Sequence, residues 1–529
     1  MNRSFRLFPP YDGLGLASFT RGKVYLQNAA RSSGLHIQAT RGSGKSTLEA
    51  IIALADFARD KPVVLFEVQG GLVEQLLWRL GHLDKSTKRR LIPKIIYADM
   101  SGRADRIIGW PLLYRLPGDS LYDVSQRYIE LIKRMDPDLS NAPILGANAL
   151  DYLGTYTGMA LFAMGCQLTE AIDLLSNPEV WAARLRQAAE ADPEAEPAVR
   201  FFLNEYPRIP EHERRSLALT LRTKLARFTL NPNLKAMFGA STPGIDWDEV
   251  VRDSKLVILD FQDIRNDDDL RFKMRWCFSH VWEYIKQREN GRDKPISIIL
   301  DELSYLLSMK AGSDDLLAAD LDNFINKDMR YRNVWLTAAH QELYQIPSDR
   351  IRKTLLSMGT QILGATSDPE AVRTIAETYF EYDPDWVKKV VSHKAVIQEQ
   401  LSENDRKFRR SGLPEYQLIE TSRTTEEYAL EEQRQMFVQQ FLEVNKFEFL
   451  VAHSGSEGAL SRELTRVNIS RLVRLIGFPH QEAVARARQQ LIEASGLQTQ
   501  AVLEQISQRL SALPAARSRQ ITRSVELDT

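Results

Sequence analysis

Four short stretches carry residue types whose spacing could do phosphate chemistry. Ala39-Thr40-Arg41-Gly42-Ser43-Gly44-Lys45-Ser46, followed by Thr47, places a small residue, four positions and then Gly-Lys-Ser. Gly42 and Gly44 let the backbone curl so that successive N–H groups face phosphate oxygens. A helix starting at Lys45 would add the positive end of its dipole. Lys45 would reach the β- and γ-phosphates, and the Ser46 hydroxyl would take a Mg²⁺ position. The run Ala39 to Thr47 is therefore a candidate cradle for ATP and Mg²⁺. In the second stretch, ISIILDEL, apolar β-formers lead into Asp301 and Glu302. A carboxylate pair at the C-terminal end of a buried parallel strand lies where ligands bind. Asp301 would hold Mg²⁺ through water and Glu302 would polarise the attacking water as general base. Without the cradle, the same pair reads as a strand end that caps a helix.

The third stretch, VWLTAAHQ, is another apolar strand and ends in Gln341. A neutral amide there can hydrogen-bond the γ-phosphate or its water and report hydrolysis to moving parts. His340 reads as a structural neighbour. The fourth stretch, NKDMRYRNV, holds Arg330 and Arg332 at the end of a helix. Cations there compensate the helix dipole. Alternatively, one of them is an arginine finger acting on ATP bound by a neighbouring subunit. The residues alone leave both readings open.

These stretches need elements to hold them. GLHIQA before the cradle, PVVLFEV (Pro62–Val68), KIIYADM (Lys94–Met100), KLVILDF (Lys255–Phe261), ISIILDEL (Ile296–Leu303), VWLTAAHQ and TQILGAT read as buried strands. Helical patterns alternate with them, which predicts a parallel sheet covered on both faces. Between about Asp119 and Arg252 the apolar spacing is helical throughout, predicting an all-helical insertion. Beyond Asp383 come a charged stretch (SENDRKFRRSGLPEYQLIE), a helix (TEEYALEEQRQMFVQQFLEV), a strand (FEFLVAH), two amphipathic helices near His480–Ala494 and Thr499–Leu510, and a tail from Pro514. The expected fold is α/β: a RecA-like P-loop NTPase core with a parallel-dominated sheet, a helical insertion and a mixed C-terminal region. Its divisions fall at 1–115 and 251–382 for the two parts of the core, 116–250 for the insertion and 383–529 for the remainder.

Composition bounds the reading. The chain has 529 residues, 43% of them hydrophobic and 26% charged, which excludes a wholly disordered or collagenous chain. Its two cysteines, Cys166 and Cys277, cannot make a zinc site by themselves and suit a reducing compartment. With Lys+Arg 69 against Asp+Glu 70, no global charge draws it to nucleic acid. The basic clusters at Lys85–Arg90, Arg214–Arg227 and Arg406–Arg410 read first as solvated faces. The N-terminus lacks the apolar core of a secretory signal. The longest uncharged run, Tyr152–Thr169, holds Gly, Thr and Gln and reads as a buried helix. The expectation is a cytoplasmic protein with no direct membrane insertion.

Taken in order, QATRGSGKST, FEVQGG, IGWPLL, the helical insertion, KLVILDF, ILDEL, the Arg-bearing helix, AAHQ and MGTQILGATSDPEAV resemble the HerA–FtsK superfamily of hexameric DNA-pumping ATPases. The likeness is nearest to the soluble part of type IV secretion (conjugative) coupling proteins, and it covers roughly Leu14 to Tyr379. It implies Lys45 and Ser46 for nucleotide and Mg²⁺, Asp301 and Glu302 for Mg²⁺ and water, Gln341 as sensor, and Arg330 as the finger supplied in trans. Departures are Arg41 where the family usually has Thr, Glu67 where it has Asp, Ser357 where it has Asn, and the absence of an N-terminal transmembrane anchor. The implied partners are DNA and further copies of the chain in a hexameric ring, with a secretion channel, a relaxase or a nuclease as candidate associates. Three functions fit: a DNA-translocating motor, a cytosolic coupling adaptor delivering relaxase–DNA or protein cargo, and a nucleotide-gated assembly or defence component working with a separate nuclease.

Overall fold

The computed structural model describes residues 13–17, 23–27, 31–102, 105–116, 118–135, 144–288, 294–307, 316–366, 372–373, 380, 382–398, 416–454 and 460–511. In chain order its strands are β1 (Gly13–Ala17), β2 (Lys23–Gln27), β3 (Leu35–Gln38), β4 (Val63–Glu67), β5 (Ile95–Asp99), β6 (Arg106–Ile107), β7 (Leu256–Asp260), β8 (Ile296–Leu300), β9 (Val334–His340), β10 (Thr360–Leu363), β11 (Val387–Gln398), β12 (Tyr416–Glu427), β13 (Glu448–Ser454), β14 (Leu460–Asn468) and β15 (Leu497–Gln498). By packing, the chain forms two units, Met1–Gly364 with Lys446–Thr529, and Ala365–Asn445.

The first unit is built on a nine-stranded sheet in the order β14-β13-β10-β3-β9-β8-β4-β7-β5. From β10 to β5 every neighbouring pair is parallel, while β13 and β14 close one edge antiparallel. Alternation along the strands explains why both faces must be covered. Val64 and Phe66 of β4 join one apolar core while Val63 and Leu65 join the other, and β7 divides likewise. Side chains that point alternately up and down thus fill two cores, the burial expected of parallel strands. One core is closed by the helices at Lys45–Ala58 and Gly71–Gly81. The other is continuous with the helical region from Leu121 to Arg252, through residues such as Tyr128, Leu153, Trp181 and Phe201. That region is helical as its spacing predicts.

The uncharged run Tyr152–Thr169 is not one rod. The helix Ile144–Ala163 ends in a turn, and the chain bends by 114° into Leu168–Ser176. Leu153, Ala160 and Leu161 are fully buried on it. Among the described residues no single helix is long and apolar enough to cross a membrane.

Several expectations need correction. The helix carrying Arg330 is interrupted: Leu316–Asn323 is α-helical, Phe324–Asp328 is a π-turn, and Met329–Tyr331 completes it. A short helix at Asp349–Leu356 and strand β14 were not expected. In the second unit, YQLIE is not the end of an unstructured charged stretch and TEE (Thr425–Glu427) is not a helix start. Both lie in β12, antiparallel to β11, and the helix begins only at Leu430. Pairing decides this: Thr424 and Thr425 oppose Val391 and Val390, and Glu426 opposes Lys389. Such cross-strand matches stabilise a hairpin but cannot be seen within one strand. The expected helix DPEAVRTIAETYF, the Arg406–Arg410 cluster and the tail from Pro514 fall largely or wholly outside the described residues.

Candidate active site

Strands β3, β9 and β8 lie side by side and parallel, so their C-terminal ends emerge together on one edge of the sheet. The cradle comes directly after β3, Gln341 after β9, and Asp301-Glu302 after β8. At a spacing of about 4.8 Å per strand, three segments far apart in sequence reach one another. The Lys45 ammonium donates to the Asp301 carbonyl oxygen at 2.6 Å. It lies 3.0 Å from Asp301 Oδ1 and 3.9 Å from Glu302 Oε2. Gln341 Nε2 donates to the same Glu302 Oε2 at 3.2 Å, and the Ser304 hydroxyl donates to Oε1 at 3.0 Å. Lys45, Asp301, Glu302 and Gln341 thus form one connected set.

Electrostatics follow from this burial. Desolvation opposes the Lys45 charge, but Asp301, Glu49 and Glu302 outweigh it and hold the ammonium's pKa above its usual value. Burial pushes Glu302 up, and the Asp301 charge adds to that against Lys45 and the Ser304 and Gln341 hydrogen bonds. A carboxylate with a raised pKa is the more effective proton acceptor. For Asp301, Lys45 and neighbouring hydrogen bonds overcome burial and keep its pKa low.

Of two further carboxyls beside Asp301, Glu49 was missed in the sequence and Glu67 was seen there only as a departure from the family pattern. Glu49, one helical turn after Lys45, is fully buried; burial and the Asp301 charge raise its pKa well above the usual glutamate value, against the pull of Lys45. A Glu on the inward side of an otherwise apolar helix was the available clue. Glu67 closes β4 next to Asp301. Its carboxylate accepts from the backbone N–H groups of Gln69 and Gly70 at 2.7 Å and of Val73 at 2.8 Å, so it caps the helix at Gly71–Gly81. That gives the FEVQGG turn a structural task.

In the cradle, φ is 83° at Gly42 and 106° at Gly44, conformations costly for any residue with a Cβ. A cavity of about 300 Å³ opens over it, lined by Thr40, Arg41, Gly42, Gly44, Lys45, Ser46, Thr47 and Gln341. Ser46 faces Gly71, where an added Cβ would come within 3.4 Å of its hydroxyl oxygen. This donor set fits a nucleotide with Mg²⁺: backbone N–H groups and an ammonium for phosphate, and a lone hydroxyl for a cation that keeps most of its water. Among the described residues no group of three or more His, Cys, Asp or Glu could hold a metal on its own. Ala39 and Ser43 are buried members of the cradle turn, and the Ala39 N–H donates to the His340 carbonyl at 3.3 Å.

The wall opposite the cradle also escaped the sequence reading. Just before β13, Phe447 has φ 66°, which for a bulky residue costs about 1–2 kcal/mol. Its N–H donates to the Ser43 carbonyl at 2.6 Å, and its ring fills the place beside Gly44 where a Cβ would meet Cδ1 at 2.5 Å. Nothing in its sequence surroundings announces that conformation.

His340 is structural, as expected. Its Nε2 lies 2.7 Å from His36 Nε2, and His36 Nδ1 lies 2.5 Å from Gln361 Oε1. The Gln361 amide nitrogen donates to the Leu355, Leu356 and Met358 carbonyls, so its oxygen must accept from His36. Burial lowers His36 to about 4 and His340 well below its usual value, which keeps both neutral.

Arg330 is not part of the set within one chain. It is exposed; its carbonyl accepts from the Asn333 N–H at 3.3 Å, while its guanidinium has no hydrogen-bond or ion-pair partner among the described residues. Arg332, by contrast, is tied to the Arg288 carbonyl, and Arg288 donates to the Arg332 carbonyl at 3.2 Å. In the two basic clusters that lie among the described residues some members are paired at the surface: Arg90 with Asp60 at 3.0 Å, Lys88 with the Gly81 carbonyl at 2.6 Å, and Arg215 with Glu211.

The parallel sheet with a glycine-rich turn between an inner strand, β3, and a helix makes this an α/β fold of the RecA-like P-loop NTPase type. No family model matches the chain, and no curated protein does. Among solved structures it is similar to the bacterial conjugative coupling protein TrwBdeltaN70, with 14% identity, TM-score 0.48, and 87% of this chain and 89% of that one covered. It is also similar to VirB4 of Thermoanaerobacter pseudethanolicus, with 13% identity, TM-score 0.49, and coverage of 87% and 96%. TrwB in complex with ADP and Mg²⁺ matches with 14% identity, TM-score 0.42, and coverage of 84% and 86%. Overlap at this level assigns no activity to the chain.

Proposed function

We propose that the protein hydrolyses ATP and uses the energy to move DNA, working as a ring of identical subunits, with six as the expected number. The observation that carries the ATPase reading is the contact chain Lys45–Glu302–Gln341 beside a glycine-rich cradle. In this reading the cradle N–H groups and Lys45 grip the triphosphate. Glu302, held by Ser304 and Gln341, takes the proton of the attacking water. Mg²⁺ at the Ser46 hydroxyl, with Asp301 behind it, would neutralise charge building on the phosphates. When the phosphate leaves, the Gln341–Glu302 hydrogen bond rearranges and passes the change along β9.

Arg330 supports the ring. A guanidinium that is exposed and unpaired among the described residues, next to a π-turn, is available to a neighbouring subunit's nucleotide. DNA would be gripped through its phosphates, without sequence preference and with strong salt dependence. The resemblance read from the sequence motifs supports the DNA assignment. The test is ATPase activity with and without double-stranded DNA, together with particle size by light scattering, on the wild type and on Arg330→Ala. Hydrolysis stimulated by DNA in an oligomer, and lost in Arg330→Ala with the oligomer intact, is the expected outcome. A monomer whose turnover ignores DNA would refute the motor.

A further inference from the structure

The cavity over the cradle extends past the phosphate-binding residues to a second group of side chains: Phe447, Phe478, Pro479 and Gln481, with Gln75 facing them. We propose that this group is the subsite for the nucleobase, that it takes a purine, and that Phe478 is its principal stacking residue. The inference rests on the proposed nucleotide site and adds what the cradle cannot supply, since backbone N–H groups and Lys45 recognise a triphosphate whatever base it carries.

Three observations carry it. The first is chemical. Two rings and a proline offer flat apolar faces, and two glutamines offer paired donors and acceptors. Aromatic side chains stack on bases, and a Gln amide can bond the adenine edge through donor and acceptor together. The second is continuity. Phe447 is bonded to the cradle itself, N–H to Ser43 carbonyl at 2.6 Å, with its ring against Gly44. A base stacked here therefore belongs to the nucleotide whose phosphates the cradle holds. The third is that the wall is built and braced. The Ile469 N–H donates to the Phe447 carbonyl at 2.9 Å. Trp78 Nε1 donates to the Ile476 carbonyl at 3.1 Å, and Gly477, at φ 71°, turns the chain so that Phe478 stands at the lip. Phe478 is 65% exposed although its ring centroid is only 6.5 Å from that of Phe447. A large aromatic held open beside a phosphate cradle gains by burying its face on a flat ligand. The strained backbone of Phe447 fits the same pattern, since such conformations persist where surroundings fix them and gather at ligand sites.

Among the charged groups on this wall, the Lys446 ammonium lies over the Phe447 ring, 5.2 Å from its centroid, and Glu74 is an acceptor suited to sugar hydroxyls.

The test measures equilibrium binding to the full chain by calorimetry, with the Mg²⁺ salts of ATP, CTP and inorganic tripolyphosphate. In Phe478→Ala the ATP affinity should fall about tenfold, with tripolyphosphate affinity unchanged. The preference of the wild type for ATP over CTP should shrink in the same variant. Phe478→Trp should restore ATP binding. Phe478 is exposed, so these changes should leave folding intact, which circular dichroism checks. ATP affinity unaltered in Phe478→Ala, or an equal loss for ATP and tripolyphosphate, overturns the base subsite while leaving the cradle assignment in place. A wild-type chain that binds neither ligand overturns both.

Discussion

On one wall of the cleft, Lys45, Glu302 and Gln341 descend from three parallel strands that are hydrogen-bonded to one another. On the other wall, Phe447 and Phe478 come from a segment that rejoins the first unit after Asn445 and reaches the cradle through one backbone hydrogen bond and one ring. The difference separates two tasks. In the proposed function, the groups that meet the reacting phosphate stand directly after buried strands (Glu302 after β8, Gln341 after β9) or at the start of the helix that follows β3 (Lys45), where close packing leaves them little slack. In the proposed base subsite, the groups that hold a flat base stand on turns, one of them strained and one exposed.

Variants can break this division. The largest effect is expected from Lys45→Ala. Nucleotide affinity should fall at least about 100-fold and hydrolysis should vanish, because the ammonium both grips phosphate and balances Asp301 and Glu302. Leaving those two carboxylates buried without their cation should also cost about 3–5 kcal/mol, less whatever Glu302 recovers by taking a proton. Denaturant unfolding measures that part separately from binding. Gln341→Ala should lower kcat about 10- to 100-fold while KM moves less than about threefold, since the amide orients Glu302 and its water rather than holding substrate. Steady-state kinetics separate the two. The smallest effect tests the link between the walls. Gly44→Ala faces both a φ of 106° and a 2.5 Å clash with Phe447; the backbone part costs about 1–2 kcal/mol. Adding Phe447→Ala should return the steric part alone, so denaturation of the pair should fall short of wild type by about the backbone cost.

The first wall was legible in the sequence because each of its parts is a contiguous pattern: an apolar strand followed at once by Asp301-Glu302 or Gln341, and for Lys45 a strand followed by the Gly-rich turn Ala39–Gly44. Parallel strands then place those ends on one edge without further instruction. The second wall was not legible. Phe447 and Phe478 sit among ordinary loop residues, and a left-handed φ at a phenylalanine is imposed by its bond to Ser43, which no local spacing encodes. Glu49 and Glu67 lie between these cases. Their positions are local, but their burial against Asp301 depends on β8 lying beside β4. The β11–β12 hairpin was missed for a related reason. Strands rich in Lys, Glu and Thr on exposed faces look like charged linker until the opposing strand is known. The interruption before Arg330 was invisible because buried Leu317, Leu321, Ile325 and Met329 recur at intervals of four straight through it, as they would in an unbroken helix.

The most direct test of the central claim is to follow Glu302→Gln through both ATP binding and hydrolysis across pH. Glutamine keeps the size and the hydrogen bonds to Ser304 and Gln341 but cannot accept a proton. ATP binding should remain within about threefold of wild type while turnover falls about 10²- to 10⁴-fold. The wild type should lose activity as pH drops through the raised Glu302 pKa, above the usual glutamate value of about 4.3. That acidic limb should be missing from the residual rate of the variant. Turnover close to wild type in Glu302→Gln, or an acidic limb unchanged by it, would contradict the account.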